Sequence, residues 1–233
     1  MTTIAENYLA VKERVASAAV KSGRKPEDIM LIAVSKTKPV DEILQAVEAG
    51  ANILGENKVQ EIMAKYDHIP HVEWHLIGHL QTNKVKYIID KVKMIHSVDS
   101  LKLAEEISKR AVKAGVTMDI LIEVNIGGEE SKSGIFPEDT EKLCLEISKL
   151  ANIRIKGLMT VAPFVENPQE TRIYFKKMNK LFVDIKSKNY DNIYMQYLSM
   201  GMTNDFEVAI EEGANIVRVG TAIFGARNYA LTQ

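Results

Sequence analysis

Cysteine is nearly missing from this sequence: Cys144, in EKLCLEIS, is the only one among 233 residues, so no disulfide can form within the chain. It falls at an apolar position of a helical pattern, the place of a small buried hydrophobe rather than a nucleophile. An excess of charge is lacking as well. Thirty basic against 31 acidic residues leave a net charge of -1, which argues against nucleic acid or an anionic membrane as the main partner. No apolar run approaches the roughly 20 residues needed to cross a bilayer. The opening MTTIAENYLAVKERV contains acidic residues and no uninterrupted apolar stretch, so it does not read as a signal peptide, and cytoplasmic residence is the expectation. There is no Pro- or Ser-rich linker and no low-complexity segment, so one domain over 1–233 is expected.

What is present is alternation. After an amphipathic helix over roughly residues 3–21, short β-rich runs (IMLIAVS, ANILG, VEWHLIG, KMIHSV, MDILIEVN, IRIKGLMTV, YMQYLSM, NIVRVG) are separated by helical patterns such as VDEILQAVEAG, LKLAEEISKRAVKAG and TRIYFKKMNKLFVDIKS. About eight strands with intervening helices predict an α/β fold, a single (β/α)8 TIM-type barrel with an extra N-terminal helix. An open doubly wound sheet is the rival, but no G-x-G-x-x-G follows the first strand, so its nucleotide-binding form lacks its main support. EAGANILGEN and EEGANIVRVG look alike, and in each a glycine (Gly50, Gly213) is placed to end a helix just before a strand.

The chemistry gathers where a barrel places its active end, at the carboxyl ends of the strands. In IAVSKTKP, period-two alternation puts Lys36 on the face of Ile32 and Val34. A desolvated amine is a nucleophile suited to a Schiff base; the plain alternative is a lysine that snorkels to water. Strand seven runs into YLSMGMTND, where Ser199, Gly201 and Thr203 suit an anion, and strand eight into RVGTAIFGARN, where Gly220 and Thr221 open a short helix with free amides. Barrel closure sets strand eight beside strand one, so an aldehyde-binding amine and a phosphate cradle become neighbours. Pyridoxal 5'-phosphate and the sugar phosphates of Schiff-base aldolases both answer to that pair. Arg218, a permanent donor, favours the former if it faces the ring nitrogen; the plain alternative is a salt-bridged strand residue. His75 and His79 are four apart but lie on a strand and its exit, so a metal site is not expected. Lys38 reads as solvated and Pro39 as part of the next helix's first turn.

AVSKTKP, LGENKVQE, WHLIGHLQTNK, VNIGGEESKSGI, IKGLMTVAP, LSMGMTNDFEVAIEEGAN and VRVGTAIFGARNY, in this order from about residue 29 to 229, resemble the pyridoxal phosphate homeostasis proteins, single-barrel relatives of the amino-terminal domain of alanine racemase. The resemblance implies that Lys36 carries the cofactor as an internal aldimine, that Ser199, Gly220 and Thr221 hold the phosphate, and that Arg218 faces the pyridine nitrogen. It also places Asn57 and Met159 along the ring, although Asn57 would equally cap a helix and Met159 fill a core. It implies that a racemase draws its second acid/base, a tyrosine, from a separate β domain. The chain ends at Gln233 just after the last barrel helix, and Tyr197 and Tyr229 are the substitutes at hand. The expectation is therefore a monomeric protein that stores or delivers the cofactor, with apo pyridoxal phosphate enzymes as recipients, rather than an efficient enzyme. A weak racemase-like enzyme and a sugar-phosphate aldolase are the alternatives. Lys132, in the loop GGEESKSGI, is a candidate to receive the aldehyde in passing, with a solvated loop lysine as the plain alternative.

Overall fold

The computed structural model describes residues 2–129 and 132–226. Eight parallel strands close into a barrel in sequence order: β1 (Met30–Val34), β2 (Ile53–Glu56), β3 (Glu73–Leu76), β4 (Met94–Val98), β5 (Met118–Glu123), β6 (Ile153–Met159), β7 (Ile193–Ser199) and β8 (Ile216–Val219). Each predicted strand is present. The helices are α1 (Ile4–Lys21), α2 (Val40–Glu48), α3 (Val59–Lys65), α4 (Leu101–Ala114), α5 (Pro137–Ile147), α6 (Arg172–Ser187), α7 (Phe206–Glu211) and α8 (Thr221–Phe224). Between β3 and β4 the crossover is made by a 3-10 segment, Thr82–Tyr87, in place of an α-helix.

The extra helix α1 starts on a capping box. Thr3 Oγ1 accepts from the Glu6 amide at 3.2 Å and the Glu6 carboxylate accepts from the Thr3 amide at 2.8 Å, which satisfies two end donors reciprocally. Its buried stripe, Tyr8, Val11, Val15, Ala18 and Ala19, lies against α2, α7 and α8, and the Tyr8 hydroxyl donates to the Gly50 carbonyl at 3.2 Å. The two look-alike helix ends behave alike: Gly50 and Gly213 both have φ of +102°, the left-handed conformation that stops α2 and α7 ahead of β2 and β8.

Strand alternation divides the apolar residues into two groups. The outward set, with Ala33, Leu54, Trp74 and Ile120, joins the helices in the large core, while Ile32, Val34, Met94, Leu121, Met159 and Ile216 form a small cluster inside the barrel. Apolar side chains do not fill the interior alone: His75, His96, Glu123, Ser199 and Arg218 are buried on the strands as well. Among the described residues no helix is long and apolar enough to cross a membrane.

Adjacent to β7, the β6 backbone runs so close that only glycine fits at position 157. A Cβ there would stand 1.8 Å from the Tyr197 carbonyl oxygen, and φ is +154°. Gly157→Ala is expected to cost about 3 kcal/mol or more, since neither backbone can yield without breaking the ladder. Thermal unfolding followed by circular dichroism should show a loss of more than about 5 °C, or no folded protein.

Candidate functional site

Lys36 sits at the carboxyl-end mouth of the barrel, half-buried, two residues beyond the end of β1. The strand stops earlier than its sequence suggests because Ser35 begins a turn. The Lys38 amide donates to the Ser35 carbonyl at 3.1 Å, and Thr37 takes a φ of +64°. A left-handed third residue is the mark of a type II turn, where glycine is usual and threonine is strained. The turn takes Lys36 off the ladder, two residues past the inner cluster residue Val34.

Barrel closure fixes its neighbours. β8 pairs with β1 in register, Ile32 opposite Arg218 and Ala33 opposite Val219, so Gly220 and Thr221 leave β8 level with Val34 and Ser35. A Cβ on Gly220 would come 3.3 Å from the Val34 backbone oxygen. Gly220 caps the short α8, and the Ala222 amide reaches Thr203 Oγ1 at 3.4 Å, which joins the β7 loop to the β8 loop. Thr203, a hydroxyl of the YLSMGMTND loop, thus belongs with the predicted pair.

Arg218 is buried, and among the described residues no carboxylate forms an ion pair with it. One terminal nitrogen donates to Ser199 Oγ at 2.6 Å and the other to the Thr160 carbonyl at 2.8 Å. The Ser199 hydroxyl therefore lies under Arg218, and the next link is His96, whose Nδ1 is 3.1 Å from Ser199 Oγ. His96 Nε2 is 2.9 Å from His75 Nδ1. A guanidinium can only donate, so Ser199 accepts from Arg218, while the donor and acceptor roles along His96 and His75 are set by the tautomers of the two rings. His75 Nε2 is buried without a hydrogen-bond partner among the described residues, 4.0 Å from the Glu73 carboxylate at the opposite end of the barrel. Burial keeps both rings neutral, His75 brought down to about 3 and His96 well below the ordinary histidine range.

Burial also lowers Arg218 to about 10, against the opposing pull of Glu123 and Asp205, so it remains a cation at neutral pH. Glu123, at the end of β5 opposite Met159, is raised to about 7 by burial and by Asp99, with Arg218 acting the other way. The sequence reading did not single out His96 or Glu123. Both stand at inward positions of their strands, so period two applied to KMIHSV and MDILIEVN is the signal that points to them.

The remaining predicted residues divide. Met159 is fully buried in the inner cluster, and Asn57 lies just past β2, packed so tightly against Gly78 that a Cβ there would meet its carbonyl oxygen at 2.6 Å. Asn57 does not cap α3, whose N-cap is Lys58. Lys38 is not solvated as expected: it pairs with Glu42 at 3.0 Å, one turn into α2, and is largely covered. Pro39 stands at the N-cap of α2, one residue before its first turn. His79 is exposed and apart from His75, and among the described residues no cluster suits a metal ion. Tyr197 packs against the inner cluster, while Tyr229 lies outside the described residues. Lys132 pairs with Glu129 at 2.7 Å, and Cys144 is buried, its thiol pushed up to about 12.

An amine on a turn at the mouth, a glycine that a Cβ would crowd, hydroxyls on the adjoining β7 and β8 loops and a buried permanent donor suit a phosphorylated aldehyde with a ring acceptor. Comparisons with known proteins agree with that class. The alanine racemase N-terminal domain profile matches residues 3–228, which makes the barrel one of that class. Pyridoxal phosphate homeostasis proteins of Aquifex aeolicus and Pseudomonas aeruginosa are 46% and 39% identical, covering 96% and 98% of this chain and 98% of each relative. The chain belongs to the pyridoxal phosphate homeostasis protein family. PipY of Synechococcus elongatus, in a structure with pyridoxal phosphate bound, superposes with a TM-score of 0.80 at 34% identity over 92% of this chain and all of that one. An alanine racemase from Clostridium difficile, 18% identical with a TM-score of 0.68, shares the fold.

The neutral histidines set a pH dependence. The unfolded chain protonates His75 near 6.5 and the folded one near 3, so this contribution is complete above 6.5 and is lost as pH falls through that window. Glu123 and Glu56, raised to about 7 and about 6 from 4.5, act in the opposite sense above 4.5 and offset it there. Below about pH 4.5 His75 acts without that offset, at roughly 1.4 kcal/mol per pH unit, and His96 acts in the same direction. Urea midpoints should change little between pH 6.5 and 5 and fall steeply from 4.5 to 3.5, and His75→Gln should make that fall shallower.

Proposed function

We propose that this chain binds pyridoxal 5'-phosphate covalently through Lys36 and serves its storage or delivery in the cytoplasm, as one barrel unit and as a monomer, without efficient catalysis. The observation that supports the reading is the β1–β8 register, Ile32 opposite Arg218 and Ala33 opposite Val219, from which the turn carrying Lys36 and the Gly220–Thr221 turn leave neighbouring strands at the same edge. When bound, the cofactor supplies an aldehyde that condenses reversibly with amines. Gly220 and Thr221 would take the phosphate with backbone amides and a hydroxyl. Ser199, placed under Arg218, supports the same site from within the barrel. Arg218 would face the ring nitrogen with its remaining N–H groups and keep it unprotonated, which limits the ring as an electron sink. Asn57 and Met159 would line the ring. The pyridoxal-phosphate-bound PipY structure and the names of the relatives support this reading. Apo enzymes that use the cofactor are the proposed recipients.

Glu123 favours a second reading, a weak amino-acid enzyme. A buried carboxylate brought to about 7 could accept a proton near neutrality. Alanine α-proton exchange in deuterated water above the background of free cofactor would support it; no exchange would remove it.

The main reading is tested by adding pyridoxal phosphate to the purified protein, recording the visible spectrum before and after borohydride, and mapping the adduct by mass. The expected result is a reducible band and an adduct on Lys36, both absent in Lys36→Ala. An adduct elsewhere, or a sugar phosphate trapped on Lys36 in its place, would overturn it.

A further inference from the structure

The residues on either side of Lys36 are held by a buried ion-pair cluster that the sequence reading passed over. Lys65, at the last turn of α3, is buried, and its Nζ donates to the Ser35 carbonyl at 3.0 Å, to Glu56 Oε1 at 2.7 Å and to Glu61 Oε2 at 2.9 Å. Glu56 Oε1 also accepts from the Ser35 hydroxyl at 2.7 Å, and Glu61 Oε2 accepts from the Thr37 amide at 2.5 Å. The Ser35 carbonyl belongs to the peptide group before the Lys36 Cα and the Thr37 N–H to the one after it. One Glu61–Lys65 pair, four residues apart on α3, therefore grips both peptide groups that orient the Lys36 side chain, and it does so across a turn that puts Thr37 at a φ of +64°.

Stability alone is a poor reason for this cluster. Its central carboxylate, Glu56, is fully buried, one oxygen has no hydrogen-bond partner among the described residues, and burial raises the group to about 6 in spite of Lys65. Apolar residues of similar volume often hold such a position at lower desolvation cost. What they cannot do is donate to a strand-end carbonyl and, through a carboxylate, accept from an amide two residues on.

We propose that Lys65, acting with Glu61, is a positioning residue for Lys36. It fixes the turn so that the Lys36 amine meets an aldehyde held over the barrel mouth. This inference rests on the reading of Lys36 as the attachment point. In the step it serves, Lys36 Nζ attacks the aldehyde carbon, a carbon–nitrogen double bond replaces the carbonyl, and the carbonyl oxygen leaves as water with both amine protons. Nothing is oxidised or reduced. Lys65 touches neither reactant and acts through the backbone.

The test separates attachment from binding. Two probes are used on the full chain: pyridoxal 5'-phosphate, and 4-deoxypyridoxine 5'-phosphate, which keeps the ring and phosphate but has a methyl group where the aldehyde would be. In Lys65→Met, affinity for the deoxy compound should stay within about twofold of the wild type while covalent attachment at Lys36 slows about tenfold or more, equivalent to roughly 1.4 kcal/mol. Lys65→Arg, which can still donate to the Ser35 carbonyl, should recover most of the rate. Glu61→Gln, on the half-buried face of α3, should slow attachment in the same selective way and serves as the test if Lys65→Met does not fold. Attachment at the wild-type rate, or equal weakening of both probes with no recovery in Lys65→Arg, would overturn the proposal. Failure of the wild type to form an adduct on Lys36 would instead remove the underlying reading.

Discussion

Closure of the sheet between β1 and β8 is the constraint on which the site depends. The register that sets Ile32 opposite Arg218 also brings the chain out of both strands at one height, so the Lys36 turn and the Gly220–Thr221 turn share an edge. Residues 36 and 218 are 182 positions apart in the chain, and no local propensity could bring them together. The crossovers make that meeting, and the price in chain entropy falls on the large core between strands and helices, where Trp74, Phe175 and Leu54 are buried.

The interior of the barrel is divided by height and by chemistry. A small apolar cluster around Ile32, Met94, Leu121 and Ile216 shares the space with a polar column that a cation heads. Placing a guanidinium inside a barrel costs several kcal/mol in desolvation, and the structure offsets this with a hydroxyl, a carbonyl and the more distant fields of Glu123 and Asp205. Direct pairing with a carboxylate would neutralise Arg218 more completely.

Much of this was legible in the sequence. Eight strand patterns, the helix that opens the chain and the two glycine stops at Gly50 and Gly213 all follow from periodicity and turn chemistry, and all are local. Lys36, Arg218, Gly220 and Thr221 could be grouped because a closed barrel converts strand order into adjacency. What stayed hidden depends on three-dimensional partners. Lys65 in VQEIMAKYD reads as an ordinary helix-end lysine until α3 folds back on Ser35, and the bond from Arg218 to Ser199 shows only once the side chains are placed. Lys38 misled for the same reason: its cover comes from Glu42, on a helix whose packing a strand-end motif does not reveal. His96 was concealed by being treated as one more residue of an apolar strand.

The column beneath Arg218 has a consequence for proton traffic. Linked hydroxyls and imidazoles commonly conduct protons, because each member can accept on one side and release on the other. Here the head of the line is a guanidinium with no lone pair, so a proton entering at His75 from the Glu73 end has nowhere to go after Ser199. The column thus offers no relay through Arg218 to the mouth, and protons exchanged there pass by other groups.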